Sequence, residues 1–142
     1  MTEHLSSSKV QTKAEVAIVA SLAMQLGIEL NLRPGRLTLG GGNHIEVDAA
    51  AADWSIVVEA YARQGKLHGA QLKKIAQDIL KLELLKREIG HDGTRAIIVF
   101  ASPEARDSIS GWIQQAATTF GVELRVVDIP QEHRGQVVDP AS

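Results

Sequence analysis

Three consecutive pieces of sequence decide the fold: His44-Ile45-Glu46-Val47-Asp48-Ala49, then Ala50-Ala51-Ala52-Asp53-Trp54, then Ser55-Ile56-Val57-Val58-Glu59-Ala60-Tyr61-Ala62. The outer two read as strands, the second most strongly through its β-branched run Ile56-Val57-Val58. The linker between them is too short for a crossover, so the strands form an antiparallel pair. Just upstream, Arg36 to Leu39 reads as another strand, and Gly40-Gly41-Gly42-Asn43 supplies the positive φ that a hairpin turn needs. Arg33-Pro34-Gly35 marks the turn before it.

Helices flank this meander. From Lys13 to Leu26, the positions Glu15, Val19, Leu22 and Leu26 lie along one helical stripe, and Gly27 stops it. A long helix fits Gly69 to about Ile89, closed by Gly90-His91-Asp92-Gly93. Arg95 to Ala101 is an apolar strand. Ser102-Pro103-Glu104 caps a helix that runs to about Phe120, and Gly121 ends it. Val122 to Ile129 is the last strand. The order α-β-β-β-α-β-α-β predicts a single α/β domain with a mixed sheet and helices on both faces. Residues 1–12 are expected to be a flexible N-terminal segment, 13–129 the domain and 130–142 a polar C-terminal tail.

Composition narrows the function. A chain of 142 residues fits one domain, and its net charge of −2 excludes a histone-like nucleic-acid coat. With no cysteine, thiol catalysis, disulfides and cysteine metal sites are excluded. The polar start MTEHLSSSKVQTK has no apolar leader core, and no stretch approaches the roughly 20 apolar residues of a membrane span. A cytoplasmic protein with no membrane partner is the expectation.

Asp48 and Glu59 are the informative residues. In a hairpin symmetric about its linker they face each other, or nearly so, and like charges opposed on a sheet cost roughly 0.2–1 kcal/mol. A divalent cation would compensate them, since Mg²⁺ takes one or two carboxylates together with phosphate oxygens. The ordinary explanation is a solvated sheet face. Glu15 extends the apolar stripe of the first helix, where it can point into a cleft and hold a water. Its ordinary explanation is a favourable place in the first helical turn.

The helix after the hairpin brings cations. With Gln71 set at 0°, Leu72, Ile75, Ile79 and Leu82 cluster between about 20° and 100°. Gln71, Asp78, Lys74 and Lys81 border that face at about 0°, 340°, 300° and 280°, while Lys73 points away. Residues 63–88 hold seven Lys/Arg against three Asp/Glu. That local excess suits a phosphate-bearing substrate, and equally a solvated amphipathic helix.

Glu15 on a first helix, Asp48 on a strand, Val57-Val58-Glu59 on the next, and a helix bearing Gln71 and Lys74 together resemble the PD-(D/E)XK nuclease superfamily. The likeness covers roughly residues 13–129 and implies a restriction-endonuclease-like fold. It implies that Asp48, Glu59 and the Ala60 carbonyl hold Mg²⁺, with Mn²⁺ able to substitute. Val47 stands where the family pattern has proline, and Tyr61 where it has lysine. Some members supply that lysine from the following helix, which nominates Lys74 as catalytic, with Glu15 and Gln71 beside it; Lys81, nearly two turns on, is the weaker candidate. The implied activity is hydrolysis of phosphodiester bonds in nucleic acid, DNA before RNA, with a homodimer plausible for so small a domain. The rival is a non-catalytic DNA-binding or protein-interaction module that keeps the fold.

Other signals are weak. Gly40-Gly41-Gly42 lacks a following Gly-Lys-Ser/Thr, and the five histidines show no zinc spacing. At 4% aromatics there is no base-stacking platform, and Trp54 and Trp112 read as packing residues.

Overall fold

A computed structural model describes residues 2–89 and 93–130, with side chains from residue 12 onward. The elements run α1 Thr2–Leu26, β1 Asn31–Leu32, β2 Arg36–Thr38, β3 His44–Glu46, β4 Ala49–Ala50, β5 Ile56–Tyr61, α2 Gly69–Ile89, β6 Arg95–Phe100, α3 Pro103–Asp107, α4 Gly111–Thr119 and β7 Val122–Val126. Five strands form one sheet in the order β1-β4-β5-β6-β7. Its β1–β4–β5 half is antiparallel and its β5–β6–β7 half parallel. The chain is thus an α/β domain on a mixed sheet.

Strand alternation sorts the core into two layers. Ile56, Val58 and Ala60 of β5, with Ile97 and Val99 of β6, pack with Ala14, Ile18 and Leu22 of α1. Val57, Ala96, Ile98 and Phe100 pack on the other face with Ile75, Ile79 and Leu82 of α2, and with Ala117 of α4. Helices therefore cover both faces. Glu59 follows the alternation of Val57 and so emerges on the α2 face, inside the sheet rather than at its margin.

The structure departs from the sequence expectation in five places. α1 begins at Thr2 instead of Lys13, since no proline or glycine interrupts residues 2–12. The expected strand His44–Ala49 is two strands. β3 pairs only with β2 in a separate two-stranded ribbon, while β4 joins the main sheet. The unforeseen β1 pairs with β4 at the sheet edge. The expected helix from Pro103 to Phe120 breaks at Ser108–Ser110, where Ile109 turns inward to 3% exposure. Trp54 packs on the α2-side core as expected, but Trp112 is 72% exposed. The helix end at residues 90–92 and residues 131–142 of the expected tail lie outside the described residues.

The glycine turn forms as read: Leu39 N–H donates to Asn43 O at 2.7 Å, and Gly42 sits at φ +85. Among the described residues, no helix is long and apolar enough to cross a membrane.

Candidate active site

Asp48 lies in the gap between β3 and β4, and its side chain explains the gap. The register sets Ala49 opposite Val58, so Asp48 and Glu59 are the next residues outward on the two strands. The Ala60 N–H donates to Asp48 Oδ2 at 2.8 Å. A carboxylate oxygen thus takes a strand donor that a ladder carbonyl would otherwise take. The Asp48 main chain is also held on both sides: its N–H donates to Val58 O at 3.1 Å, and its carbonyl accepts from Arg33 N–H at 2.9 Å. The carboxylate is therefore fixed by backbone rather than by a rotamer alone.

Glu59 is 5% exposed, an unusual place for a carboxyl. Lys81 of α2 contacts it directly, Nζ to Oε1. Burial pushes the Glu59 pKa up to about 8; the charge of Asp48 and a hydrogen bond to it act in the same direction, and Lys81 opposes them. Glu59 therefore takes up a proton far more readily than an ordinary carboxylate, even beside Lys81. Burial pulls the Lys81 ammonium down, but its hydrogen bond and ionic contact with Glu59, with Asp78 and Asp48 behind, outweigh that and raise its pKa.

Glu15 reaches the same place from α1. Burial lifts its pKa to about 7, the charge of Asp48 adds to this, and Arg33 counters it. Glu15, Asp48 and Glu59, from α1, the β3–β4 gap and β5, all line one cavity of ≈ 360 Å³. Ala60, Gln71, Lys74 and Asp78 share that lining. Gln71 also caps its own helix: its Oε1 accepts from His68 N–H at 2.9 Å.

Asp78 organises the helix side. It is 2% exposed, and its two oxygens are divided between partners. Oδ2 accepts the Tyr61 hydroxyl, and Oδ1 accepts from Lys74 Nζ at 2.7 Å, with Lys81 Nζ 3.7 Å away. Burial, then the hydrogen bond and charge of Asp78, hold the Tyr61 phenol well above its ordinary range, so it stays a neutral donor.

The structure brings all the expected site residues to one cavity wall: Glu15, Asp48, Glu59, Ala60, Gln71 and Lys74. It differs on the lysines. The one touching Glu59 is Lys81, whereas Lys74 is half-exposed and bonded to Asp78. β5 crosses beneath α2 and sets Glu59 under Lys81, while Tyr61 lies under Asp78. Asp78 was visible on the same helix border, but its role as shared acceptor needed the Tyr61 position.

The donor set suits a hard cation in part. Two carboxylates and a main-chain carbonyl are the oxygen ligands that Mg²⁺ accepts, with a third carboxylate nearby. Among the described residues, no group of three His, Cys, Asp or Glu is arranged to hold a metal by itself. Comparison with protein-family models, with curated proteins and with solved structures returned no match.

Proposed function

We propose that the chain is a metal-dependent nuclease of the PD-(D/E)XK type, hydrolysing phosphodiester bonds in nucleic acid. The observation that carries this reading is the convergence of Glu15, Asp48 and Glu59 from three separate elements on one cavity, with Lys74 on its wall and Lys81 on Glu59. Like charges gathered and half-buried cost stability, and a function that needs them is the simplest reason to keep them.

In this reading Asp48, Glu59 and the Ala60 carbonyl hold Mg²⁺. The ion, when bound, supplies Lewis-acid polarisation of a phosphate oxygen and a lower pKa for water. The chain supplies the rest. Lys81 and Lys74 stabilise charge developing on the phosphate, Asp78 holds both ammonium groups in place, and Glu15 orients a water or takes its proton. The raised Glu15 pKa, about 7, matches a group that exchanges protons near neutrality.

A second reading, a non-catalytic nucleic-acid-binding or protein-interaction module on the same fold, is favoured by one observation. A proton on Glu59 and the Lys81 ammonium compensate the carboxylates with no metal needed. Incubating the protein with Mn²⁺ and linear, circular, single-stranded and duplex DNA and RNA separates the two. Mn²⁺-dependent cleavage lost in Asp48→Ala supports the nuclease. Binding of nucleic acid without cleavage under any condition supports the module.

A further inference from the structure

The two edges of the main sheet are unlike. At one end β1 is only Asn31–Leu32, too short to template another chain. At the other, β7 runs Val122-Glu123-Leu124-Arg125-Val126 in unbroken parallel register with β6. Among the described residues no strand pairs with its outer side. It carries no proline, lysine or bulge, so its only guards against another strand are the charges of Glu123 and Arg125.

One bond shows which groups face outward. The Val127 N–H donates to Phe100 O of β6 at 2.9 Å. By strand alternation the main chains of Glu123 and Arg125 also turn toward β6, and those of Val122, Leu124 and Val126 turn to the free edge, each offering an N–H and a C=O. The side chains alternate as well. Leu124 packs on the α2-side core, whereas Glu123 and Arg125, in register with Ile97 and Val99, emerge on the α1 face. There Glu123 accepts two bonds from Arg95, both 2.8 Å, and Arg125 lies 3.5 Å from the same carboxylate.

Charges on an edge repel a second copy unless each meets its opposite. In two β7 strands paired antiparallel about a two-fold axis at Leu124, Val122 faces the partner's Val126, Glu123 faces the partner's Arg125, and Leu124 faces the partner's Leu124. The outward residues then make the hydrogen-bonded pairs, each exchanging both N–H···O bonds. Glu123 and Arg125 fall in the closer, non-hydrogen-bonded pairs, where side chains meet most nearly. Other registers fail. A shift of one residue brings outward groups opposite inward ones. A shift of two sets Glu123 or Arg125 against its own copy, and in-register parallel pairing does both, which is destabilising on a sheet.

We propose that β7 is a self-complementary docking edge, on which a second copy of this chain adds its own β7 antiparallel about Leu124 and joins two five-stranded sheets into one. A two-fold contact of this kind is closed at two copies, and the short β1 edges offer no further template. The pairing is independent of metal and substrate, since β7 lines neither of the cavities that Glu15 and Asp48 line.

Sedimentation equilibrium of the whole chain, from micromolar to millimolar concentration, tests it. The wild type should show a monomer–dimer equilibrium. Arg125→Glu, which leaves the Arg95–Glu123 pair in place, sets carboxylates face to face and should weaken the dimer at least about tenfold; Glu123→Lys should do the same with cations. Mixed, the two variants are complementary and should associate with each other. The chain has no cysteine, so Leu124→Cys introduces a single thiol, and facing positions about 5.5 Å apart at Cα are within disulfide reach. Oxidation should link its copies faster than those of Trp112→Cys, whose site is far more exposed. A wild type that stays monomeric throughout overturns the proposal. So does a dimer that Arg125→Glu leaves intact, or one that cross-links faster through Trp112→Cys, which would move the interface to the helical face.

Discussion

Lys81 Nζ meets Glu59 Oε1 across the interface between helix α2 and the central strand β5. The acid comes from a buried strand at the centre of the sheet and the base from the border of an amphipathic helix. Each is placed by burying its neighbours: Val57 and Val58 beside Glu59, Ile79 and Leu82 beside Lys81. The contact is a by-product of core packing, which makes it rigid. It also leaves a buried carboxyl whose protonation must show in the stability of the metal-free protein.

That stability should fall as pH rises from about 5 to 9. Glu59 and Glu15 have folded-state pKa values of about 8 and about 7, above the ordinary 4.5. Between those limits the folded state binds more protons than the unfolded state, so the slope of unfolding free energy with pH is negative. The contribution is fully present below 4.5 and lost as pH climbs through 7 and 8. Glu123 is shifted the other way by Arg95, so its contribution is present above 4.5 and flat across this window. Urea midpoints measured from pH 5.5 to 9 should decline in wild type and decline less in Glu59→Gln. A midpoint that rises with pH would contradict the assignment.

Under the nuclease reading, metal binding should reverse the trend. A cation on Asp48 and Glu59 must displace the Glu59 proton, so its affinity grows as that proton becomes easier to remove. Millimolar Mn²⁺ should raise the melting temperature more at pH 8.5 than at pH 6, since a ligand specific to the folded state stabilises it. Calorimetry in buffers of different ionisation enthalpy should show proton release. Asp48→Ala and Glu59→Gln should each abolish the increment. An equal increment at both pH values would place the metal elsewhere.

The Tyr61–Asp78 bond gives a prediction about folding alone. Tyr61→Phe removes one hydrogen bond to a buried carboxylate and should cost roughly 1.5–3 kcal/mol. Asp78→Ala removes the acceptor of Tyr61 and Lys74 together and leaves the phenol unpaired at the cavity wall. It should cost more, and the double variant less than the sum of the two. Denaturant unfolding of the four proteins measures the coupling. Additive losses would show that the two groups do not act as a unit.

The sequence carried much of this arrangement. Ile56-Val57-Val58-Glu59 reads as a strand with an acid on it, and the helical geometry from Gln71 to Lys81 sets four polar groups along one border. What could not be read was where strand pairing stops. Asp48 replaces a main-chain acceptor with its own carboxylate, and nothing in Glu46-Val47-Asp48-Ala49 distinguishes that from an unbroken strand. β1, only Asn31–Leu32, is too short to carry a periodic signal. The sequence shows Tyr61 only as a missing lysine, whereas its hydroxyl anchors the Asp78 that contacts Lys74 and Lys81.

That anchoring ranks the two lysines. Lys74 is half-exposed and its ammonium can leave Asp78 for a bound phosphate, whereas Lys81 is more buried and meets Glu59 itself. Under the nuclease reading, Lys81 lies next to the acid that holds the metal, and Lys74 on the wall where the substrate enters. Lys81→Met should therefore lower kcat by at least about a hundredfold, the scale of removing one oriented electrostatic group. It should also raise the Glu59 pKa further, since the group opposing protonation is gone, and so weaken Mn²⁺ binding at neutral pH. Lys74→Ala should act mainly on KM, by about tenfold, with Mn²⁺ binding intact. Lys73→Ala, on the solvent face, should do neither. Steady-state cleavage and Mn²⁺ titration of the three variants would decide the ranking. A larger kcat loss in Lys74→Ala than in Lys81→Met would return the catalytic role to Lys74 and leave Lys81 as a structural counter-charge for Glu59.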